Sequence, residues 1–163
     1  PGLDGTGEFV PSNHTFPNGC HLCEIELDPE TGALTILRYL VVHDFGVVLN
    51  PLLLEGQVHG GVAQGLGQAV SEAITFGNGK VRNPNFLDYK IFSSLDAPEV
   101  EVHFVERPAD NGPFGAKGTG EPPILPPVGV MANAIYDAVG VRIHELPLSP
   151  EKIVQAIREK NKS

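Results

Sequence analysis

Glu121 stands in a stretch of the chain whose residue types suit the presentation of a single acid group. The stretch reads NGPFGAKGTGEPPILPP and is longer than a simple connection requires. Its glycines free the backbone, and Pro122 and Pro123 restrict the exit, so we expect Glu121 to be held in an extended conformation. If the surrounding structure buries this carboxylate, desolvation raises its pKa toward that of a general base. Otherwise Glu121 is a solvated loop residue.

A glycine-rich helix is the second feature that needs an explanation. Asn50 and Pro51 give a cap residue followed by proline at the first helical position, which predicts a helix over about 51–70. This helix contains glycine at 56, 60, 61, 65 and 67, and each is about 1 kcal/mol less favourable than alanine in a helix interior. Glycines four residues apart leave a surface without side chains. Another backbone or a flat ligand could lie against that surface.

The cysteines and histidine near the amino terminus do not predict a metal site. Cys20 and Cys23 flank His21, but on a strand the two cysteines face opposite sides of the sheet. No second CxxC supplies further ligands, so we expect half-buried cysteines and no protein metal ligands. Lys117 does not belong to a phosphate-binding loop, because Gly118 follows it instead of Ser or Thr.

The rest of the chain predicts strands before and after the first helix. Residues 1–19 have no hydrophobic period, which is typical of an irregular N-terminal arm. A domain of residues 20–163 follows and opens with a β-hairpin whose turn is closed by Gly32. Short β-like runs between 72 and 106 predict more antiparallel sheet.

Two further helices are expected near the end of the chain. One begins near Pro126 or Pro127 and stops at Gly140, and the other begins at Ser149 and Pro150. We therefore predict an α+β fold in which antiparallel hairpins and sheet pack with about three helices.

Composition excludes several classes of protein. The 163 residues include 20 acidic and 11 basic side chains, and the scattered Lys and Arg argue against nucleic acid as a partner. The apolar stretches end well before the roughly 20 residues of a membrane-spanning helix, so no membrane partner is expected. Two cysteines without a disulfide framework favour a cytoplasmic location. The start at Pro1, with no signal segment, predicts a piece of a longer chain.

Two segments together resemble one enzyme family. They are GQVHGGVAQGLGQAV (56–70) and GAKGTGEPP (115–123), with TFPNGCHLCEIELDPETG (15–32) before them and ANAIYDAVGVRIHELPLSPEKI (132–153) after them. In this order they resemble the C-terminal region of the molybdenum-cofactor-binding large subunit of molybdenum hydroxylases. That family includes xanthine dehydrogenases, aldehyde oxidoreductases, aerobic carbon monoxide dehydrogenases and N-heterocycle hydroxylases. The fold would then be part of a larger molybdenum-binding domain.

The resemblance implies a role for particular residues. Glu121 would be the catalytic base, and the side-chain amide of Gln57 would lie near the molybdenum. The implied cofactor-binding residues are Gln57, Gly60, Gly61, Gln64, Gly65, Gly67, Lys117 and Gly118. The pterin would hold the metal, so the family also predicts no protein side chain as a metal ligand.

The same resemblance implies an activity, cofactors and partners. The enzyme would hydroxylate an electron-poor carbon of a purine, N-heterocycle or aldehyde with oxygen derived from water. It would use a molybdenum–pterin cofactor, with the cytosine dinucleotide form as one option, and iron–sulfur and FAD groups on partner domains or subunits. The expected partners are the remainder of the molybdenum-binding subunit, the iron–sulfur and flavin subunits and a small-molecule substrate.

Two further expectations accompany the resemblance to molybdenum hydroxylases. Family subunits are several times longer, so the isolated chain is expected to be inactive and to bind the cofactor weakly or not at all. The alternative from another class is a non-catalytic assembly or interaction domain that retains the same architecture.

Overall fold

The computed structural model describes residues 2–162; Pro1 and Ser163, the outer ends of the predicted arm and domain, lie outside the described residues. The elements in chain order are β1 (Asn18–Leu27), β2 (Leu34–Asp44), α1 (Pro51–Val70), β3 (Phe76–Gly77), β4 (Lys80–Val81), β5 (Val100–Phe104), α2 (Pro126–Val139) and α3 (Pro150–Lys160). Short 3₁₀ turns at Pro113–Gly115 and Pro122–Ile124 lie in the loop before α2. The α+β prediction is confirmed.

The hairpin of β1 and β2 forms one side of the main sheet. The two strands pair antiparallel, and the turn between them contains Gly32 at φ 73°, a conformation that glycine adopts without strain. Asp28 fixes the turn, because its carboxylate accepts hydrogen bonds from the Glu30 N–H and the Thr31 hydroxyl, each at 2.8 Å. The predicted hairpin is confirmed, although β1 begins at Asn18, so that the last two residues of the predicted arm belong to the strand.

The third strand of this sheet runs in a direction that the sequence did not indicate. β5 pairs with β2 in parallel, which gives the strand order β1-β2-β5. The prediction of more antiparallel sheet is therefore wrong for β5, and only the two-residue strands β3 and β4 pair antiparallel in that region. The connection explains the direction, because α1 carries the chain back across the sheet before β5 enters beside β2.

Helix α1 spans the predicted residues and packs its inner face on the core. Asn50 is its N-cap, and the side-chain oxygen of Asn50 accepts a hydrogen bond from the Leu53 N–H at 3.1 Å. The core combines residues of α1, the sheet and the other two helices. Its main members are Leu54, Val58, Val62, Leu66, Tyr39, Val41, Phe45, Met131, Ile135 and Ile153.

The two later helices also match their predicted ends. α2 stops at Gly140, whose φ of 67° is the left-handed conformation common after a helix. α3 starts directly after Ser149. Across residues 2–162 no helix combines the length and apolar character needed to cross a membrane.

Candidate functional site

The loop that carries Glu121 is fastened by its backbone to the segment after β2. The Val47 N–H donates a hydrogen bond to the Gly115 carbonyl at 3.0 Å, and the Lys117 N–H donates to the Phe45 carbonyl at 2.8 Å. Gly46 lies between these two bonds with φ 71°, and a Cβ there would collide with the Gly115 carbonyl. Glycine at this position therefore allows the two backbones to approach each other.

An ion pair holds the same loop through its side chains. Lys117 Nζ lies 2.5 Å from Asp44 Oδ2, and only 11% and 14% of the two side chains are exposed. The other oxygen of Asp44 accepts hydrogen bonds from the backbone N–H groups of Gly46 and Arg107 at 2.9 and 3.2 Å. Desolvation raises the pKa of Asp44, but Lys117 and these N–H groups outweigh it and hold the pKa below its ordinary value. The sequence did not reveal Asp44, because its partner lies 73 residues later.

Residues 13–15 of the N-terminal arm form hydrogen bonds with the loop that carries Glu121. The Asn111 side-chain amide donates hydrogen bonds to the carbonyl groups of Asn13 and His14 at 2.7 and 3.0 Å. The Gly118 N–H donates to the Thr15 hydroxyl at 3.1 Å. This part of the arm therefore lies on the loop, and its hydrogen bonds add to the backbone bonds and the ion pair that hold the loop in place.

Glu121 lies at the surface, at the start of the second 3₁₀ turn. Its φ of −103° and ψ of −27° are helical, so the predicted extended conformation is wrong. The turn is closed by the Ile124 N–H, which donates to the Glu121 carbonyl at 3.0 Å. This bond offsets the preference of a residue before proline for extended backbone. The Glu121 side chain is exposed, so nothing within residues 2–162 buries its carboxylate.

Two of the glycines in α1 have a packing reason. A Cβ at Gly61 would lie 2.7 Å from the Cβ of Pro123, and a Cβ at Gly65 would lie 2.7 Å from Pro127 Cγ and 2.8 Å from the Ile124 carbonyl oxygen. At these positions another part of the backbone lies directly against the helix, which is the first of the two alternatives that the glycine spacing left open. The turn that follows Glu121 is thereby seated on α1.

The outer face of α1 remains open. A Cβ at Gly60 would meet nothing within 4 Å, and Gln57 and Gln64 on either side of it are exposed. Residues seven apart lie on one face of a helix, so the two amides flank a surface that has no side chain. Gly67 is not part of this open face, because it is buried against Glu72.

A groove of about 350 Å³ lies between the start of α1 and the loop, and we call it the α1 groove. It is lined by Phe45, Val47, Leu49, Asn50, Leu53, Leu54, Gln57, Ala116, Lys117 and Thr119. A Cβ at the neighbouring Gly118 would meet nothing within 4 Å. The structure therefore brings Gln57 to the same side of α1 as residues 116–119 of the loop, while Glu121 itself lies next to the groove lining and is not part of it. Among the described residues, no group of three or more His, Cys, Asp or Glu side chains could hold a metal ion.

The cysteine prediction holds for one of the two residues. Cys23 is half-buried with its Sγ 3.7 Å from Met131 Sδ, and burial raises the pKa of its thiol to about 11. Cys20 is exposed, so its prediction as half-buried is wrong. Cys20 faces away from the core because the strand alternates, with the neighbouring His21 turned inward.

The fold contains a buried histidine pair that residue types and spacing did not indicate. His21 Nε2 lies 2.9 Å from His43 Nε2, and His21 Nδ1 lies 3.0 Å from the Tyr39 hydroxyl oxygen. Burial, with a smaller effect of the neighbouring His43, lowers the pKa of His21 to about 4, and burial also lowers the pKa of His43. The inward positions of both residues in their strands could have indicated the pair, because the pairing of His43 with Gly19 and of His21 with Val41 makes them diagonal neighbours on one face.

These pKa shifts predict an acid-sensitive fold. The unfolded chain takes up a proton on His21 at its ordinary pKa of about 6.5, whereas the folded protein resists protonation down to about 4. The stabilisation is therefore complete above pH 6.5 and is lost as the pH falls toward 4, by up to about 3 kcal/mol. We expect the thermal midpoint to fall over this range, with a shallower fall in His21→Phe. The exposed His144 provides the control, since His144→Phe should keep the original slope; equal slopes in all three proteins would contradict the assignment.

Comparison with known proteins gives this geometry a context. Residues 1–98 match the family model of a molybdopterin cofactor-binding domain. The xanthine dehydrogenase molybdenum-binding subunit of Escherichia coli O157:H7 is 44% identical over 139 residues, which cover 84% of this chain and 18% of that protein. The nicotine 6-hydroxylase large subunit of Paenarthrobacter nicotinovorans is 36% identical over 162 residues, with 97% and 20% covered.

Solved structures agree with the sequence comparison. Quinoline 2-oxidoreductase from Pseudomonas putida 86 superposes with a TM-score of 0.82 at 31% identity, over 88% of this chain and 19% of that one. The chain spans about a fifth of the length of the relatives it matches. The resemblance seen in the two glycine-rich segments is thus confirmed, and the chain belongs to the molybdopterin cofactor-binding domain family.

Proposed function

We propose that this chain forms one side of the cofactor and substrate site of a molybdenum hydroxylase, with Glu121 as the general base. The observation that carries the proposal is the α1 groove, where Gln57 and the Glu121 loop share one side of a helix. The other side of the site would come from the remainder of the subunit, because the chain spans about a fifth of its relatives.

The open face of α1 fits a flat, polar cofactor. Gln57 and Gln64 offer amide groups on both sides of Gly60, whose missing side chain allows a planar group to lie directly on the helix. Gly118, which follows the groove-lining Lys117, offers backbone without a side chain. In this proposal these residues make the contacts of this chain to the molybdenum–pterin cofactor, and the remainder of the subunit makes the others.

The buried glycines have a supporting role in the same proposal. Gly61, Gly65 and Gly67 already contact Pro123, Pro127 and Glu72 of this chain. Gly61 and Gly65 set how closely the helix and the turn approach each other, and Gly67 leaves room for the Glu72 side chain. We therefore assign them to the shape of the site, while the family resemblance placed them against the cofactor.

The carboxylate of Glu121 has the chemistry of a proton acceptor. It makes no hydrogen bond or ion pair with the described residues 2–162, so its oxygens are available to a substrate-side group. The bound molybdenum centre would supply the two-electron oxidation of the substrate carbon and the oxygen derived from water. Glu121 would accept a proton at its carboxylate oxygen during that chemistry, and Gln57 would orient the reacting groups by hydrogen bonding.

The family supports a proposal for the chemical class of the substrate and for the kind of partner. We infer a purine, N-heterocycle or aldehyde whose electron-poor carbon is hydroxylated. Electrons would leave through iron–sulfur and FAD groups on partner domains or subunits, and the pterin could carry the cytosine dinucleotide extension. Two relatives are named for xanthine and nicotine chemistry, which supports the heterocycle class.

A second candidate is an assembly domain without catalytic activity, and an observation on the surface favours it. Large apolar side chains are widely exposed, among them Leu52 at 79%, Phe86 at 80%, Leu95 at 95% and Phe114 at 85%. Further polypeptide of a longer subunit would cover such side chains and remove their apolar surface from water. Both candidates therefore place the chain within a larger assembly, and the metal content of that assembly separates them.

Metal analysis of the native assembly tests the proposed function. We expect molybdenum, iron and FAD in the protein purified with its accompanying chains, and no molybdenum on the isolated chain, because the second side of the site is then absent. An intact assembly that contains no molybdenum would favour the assembly domain. Stoichiometric molybdenum on the isolated chain would contradict a site shared with further polypeptide.

A further inference from the structure

Lys117 has its charged group turned into the protein. Its Nζ lies 2.5 Å from Asp44 Oδ2, and 11% of the Lys117 side chain is exposed. The second oxygen of Asp44 is occupied by the backbone N–H groups of Gly46 and Arg107. An ammonium group paired in this way has little surface left for an external ligand, although the family resemblance made Lys117 a cofactor-binding residue.

The pair lies at one of two fixed points on either side of Glu121. The first is Lys117, whose N–H also donates to the Phe45 carbonyl at 2.8 Å. The second is Pro123, which packs against Gly61 on α1. Between these points Gly118 and Gly120 have open space where a Cβ would stand, so no side chain of theirs restrains the loop. The place of Glu121 therefore depends on these two points and on the single hydrogen bond between them, from the Gly118 N–H to the Thr15 hydroxyl.

We propose that Lys117 and Asp44 are a positioning pair that holds the loop so that Glu121 faces the reaction centre, and that Lys117 does not bind the cofactor. This inference rests on the proposed function, because it assigns a role through Glu121. Removing one partner leaves a charge with little exposure and no counter-ion, whereas removing both leaves none. The single and double variants therefore separate loss of charge pairing from loss of loop position.

The experiment uses the complete enzyme with its cofactor and measures kcat per bound molybdenum. The variants are Lys117→Met, Asp44→Asn and the double variant, each made alone and together with Glu121→Gln. We expect each single variant to lower kcat about ten- to a hundredfold, as small misplacements of a catalytic group do, with molybdenum content unchanged. The double variant should be no worse than the poorer single one. In the Glu121→Gln background none of them should lower the residual rate further.

A matched control removes a lysine from another ion pair. Lys152 lies 3.3 Å from Glu145 in the segment around the start of α3, and Lys152→Met should leave turnover per molybdenum unchanged. Loss of molybdenum in Lys117→Met but not in Asp44→Asn would overturn the inference, because it would make Lys117 a cofactor ligand. An equal further loss in the Glu121→Gln background would also overturn it, because the pair would then act independently of Glu121.

Three further outcomes separate folding, the proposed function and the positioning role. If a single variant does not fold, the double variant carries the test, because it leaves neither charge unpaired; wild-type turnover in that variant overturns the inference. Full turnover in Glu121→Gln alone contradicts the proposed function itself and overturns the inference with it. Normal loss of activity in Glu121→Gln, with no effect of the pair, overturns only the positioning role.

Discussion

Glu121→Gln in the complete enzyme should lower kcat by about two to four orders of magnitude while the molybdenum content stays unchanged. The amide has nearly the size of the carboxylate but cannot accept the proton. The side chain is exposed and the backbone is held by the Ile124 N–H, so the substitution should not disturb the fold. Steady-state turnover normalised to bound molybdenum measures the effect.

The control for this prediction makes the same chemical change at a distant position. Glu30 lies exposed in the turn between β1 and β2, and Glu30→Gln should retain full turnover. If Glu121→Gln turns over at the wild-type rate with the metal in place, Glu121 is not the base, and the assembly-domain candidate gains.

Gly65→Val should be the most disruptive single change in α1. Its Cβ would stand 2.7 Å from Pro127 Cγ and 2.8 Å from the Ile124 carbonyl oxygen, so the helix and the turn must move apart. Overpacking of this kind costs about 1–3 kcal/mol. The displaced turn also begins at Glu121, so we expect turnover to fall together with the thermal midpoint measured by circular dichroism.

Gly60→Ala is the matched control for the helix and separates stability from cofactor binding. Its Cβ would meet nothing within 4 Å, and alanine favours a helix interior by about 1 kcal/mol relative to glycine. The thermal midpoint without cofactor should therefore rise. The molybdenum content should fall, because the proposed cofactor lies against this position. Full molybdenum content in Gly60→Ala would show that Gly60 is not part of the proposed site. An unaltered thermal midpoint in Gly65→Val would contradict the packing argument.

The sequence predicted those elements whose signals are local. Asn50 caps α1 through its own side chain, and Gly32 and Gly140 end their elements with the positive φ that their positions require. Such features depend on a few neighbouring residues. Residue type and spacing therefore predicted these caps and turns correctly.

Features that depend on contacts between distant parts of the chain were not predicted from the sequence. The parallel direction of β5 follows from the path of α1 over the sheet, which no periodicity within residues 100–104 reveals. The Asp44–Lys117 pair joins residues 73 positions apart. The helical backbone of Glu121 depends on a hydrogen bond from Ile124 that competes with the effect of Pro122.

The candidate site could be predicted from the sequence only in part. Spacing alone indicated that the glycines of α1 needed a partner surface, but it could not separate backbone from ligand. The structure divides them: Gly61 and Gly65 face a turn of this chain, while Gly56 and Gly60 face open space. The site assignment from family resemblance therefore becomes specific to individual positions only when the packing is known.

A structure of the complete subunit with its cofactor bound tests the central claim most directly, and the position of the Glu121 carboxylate is the quantity to measure. We expect this carboxylate and the Gln57 amide to face the molybdenum from the same side, with the cofactor lying along α1 at Gly60. A carboxylate that points into bulk solvent, away from the metal and from Gln57, would contradict the account.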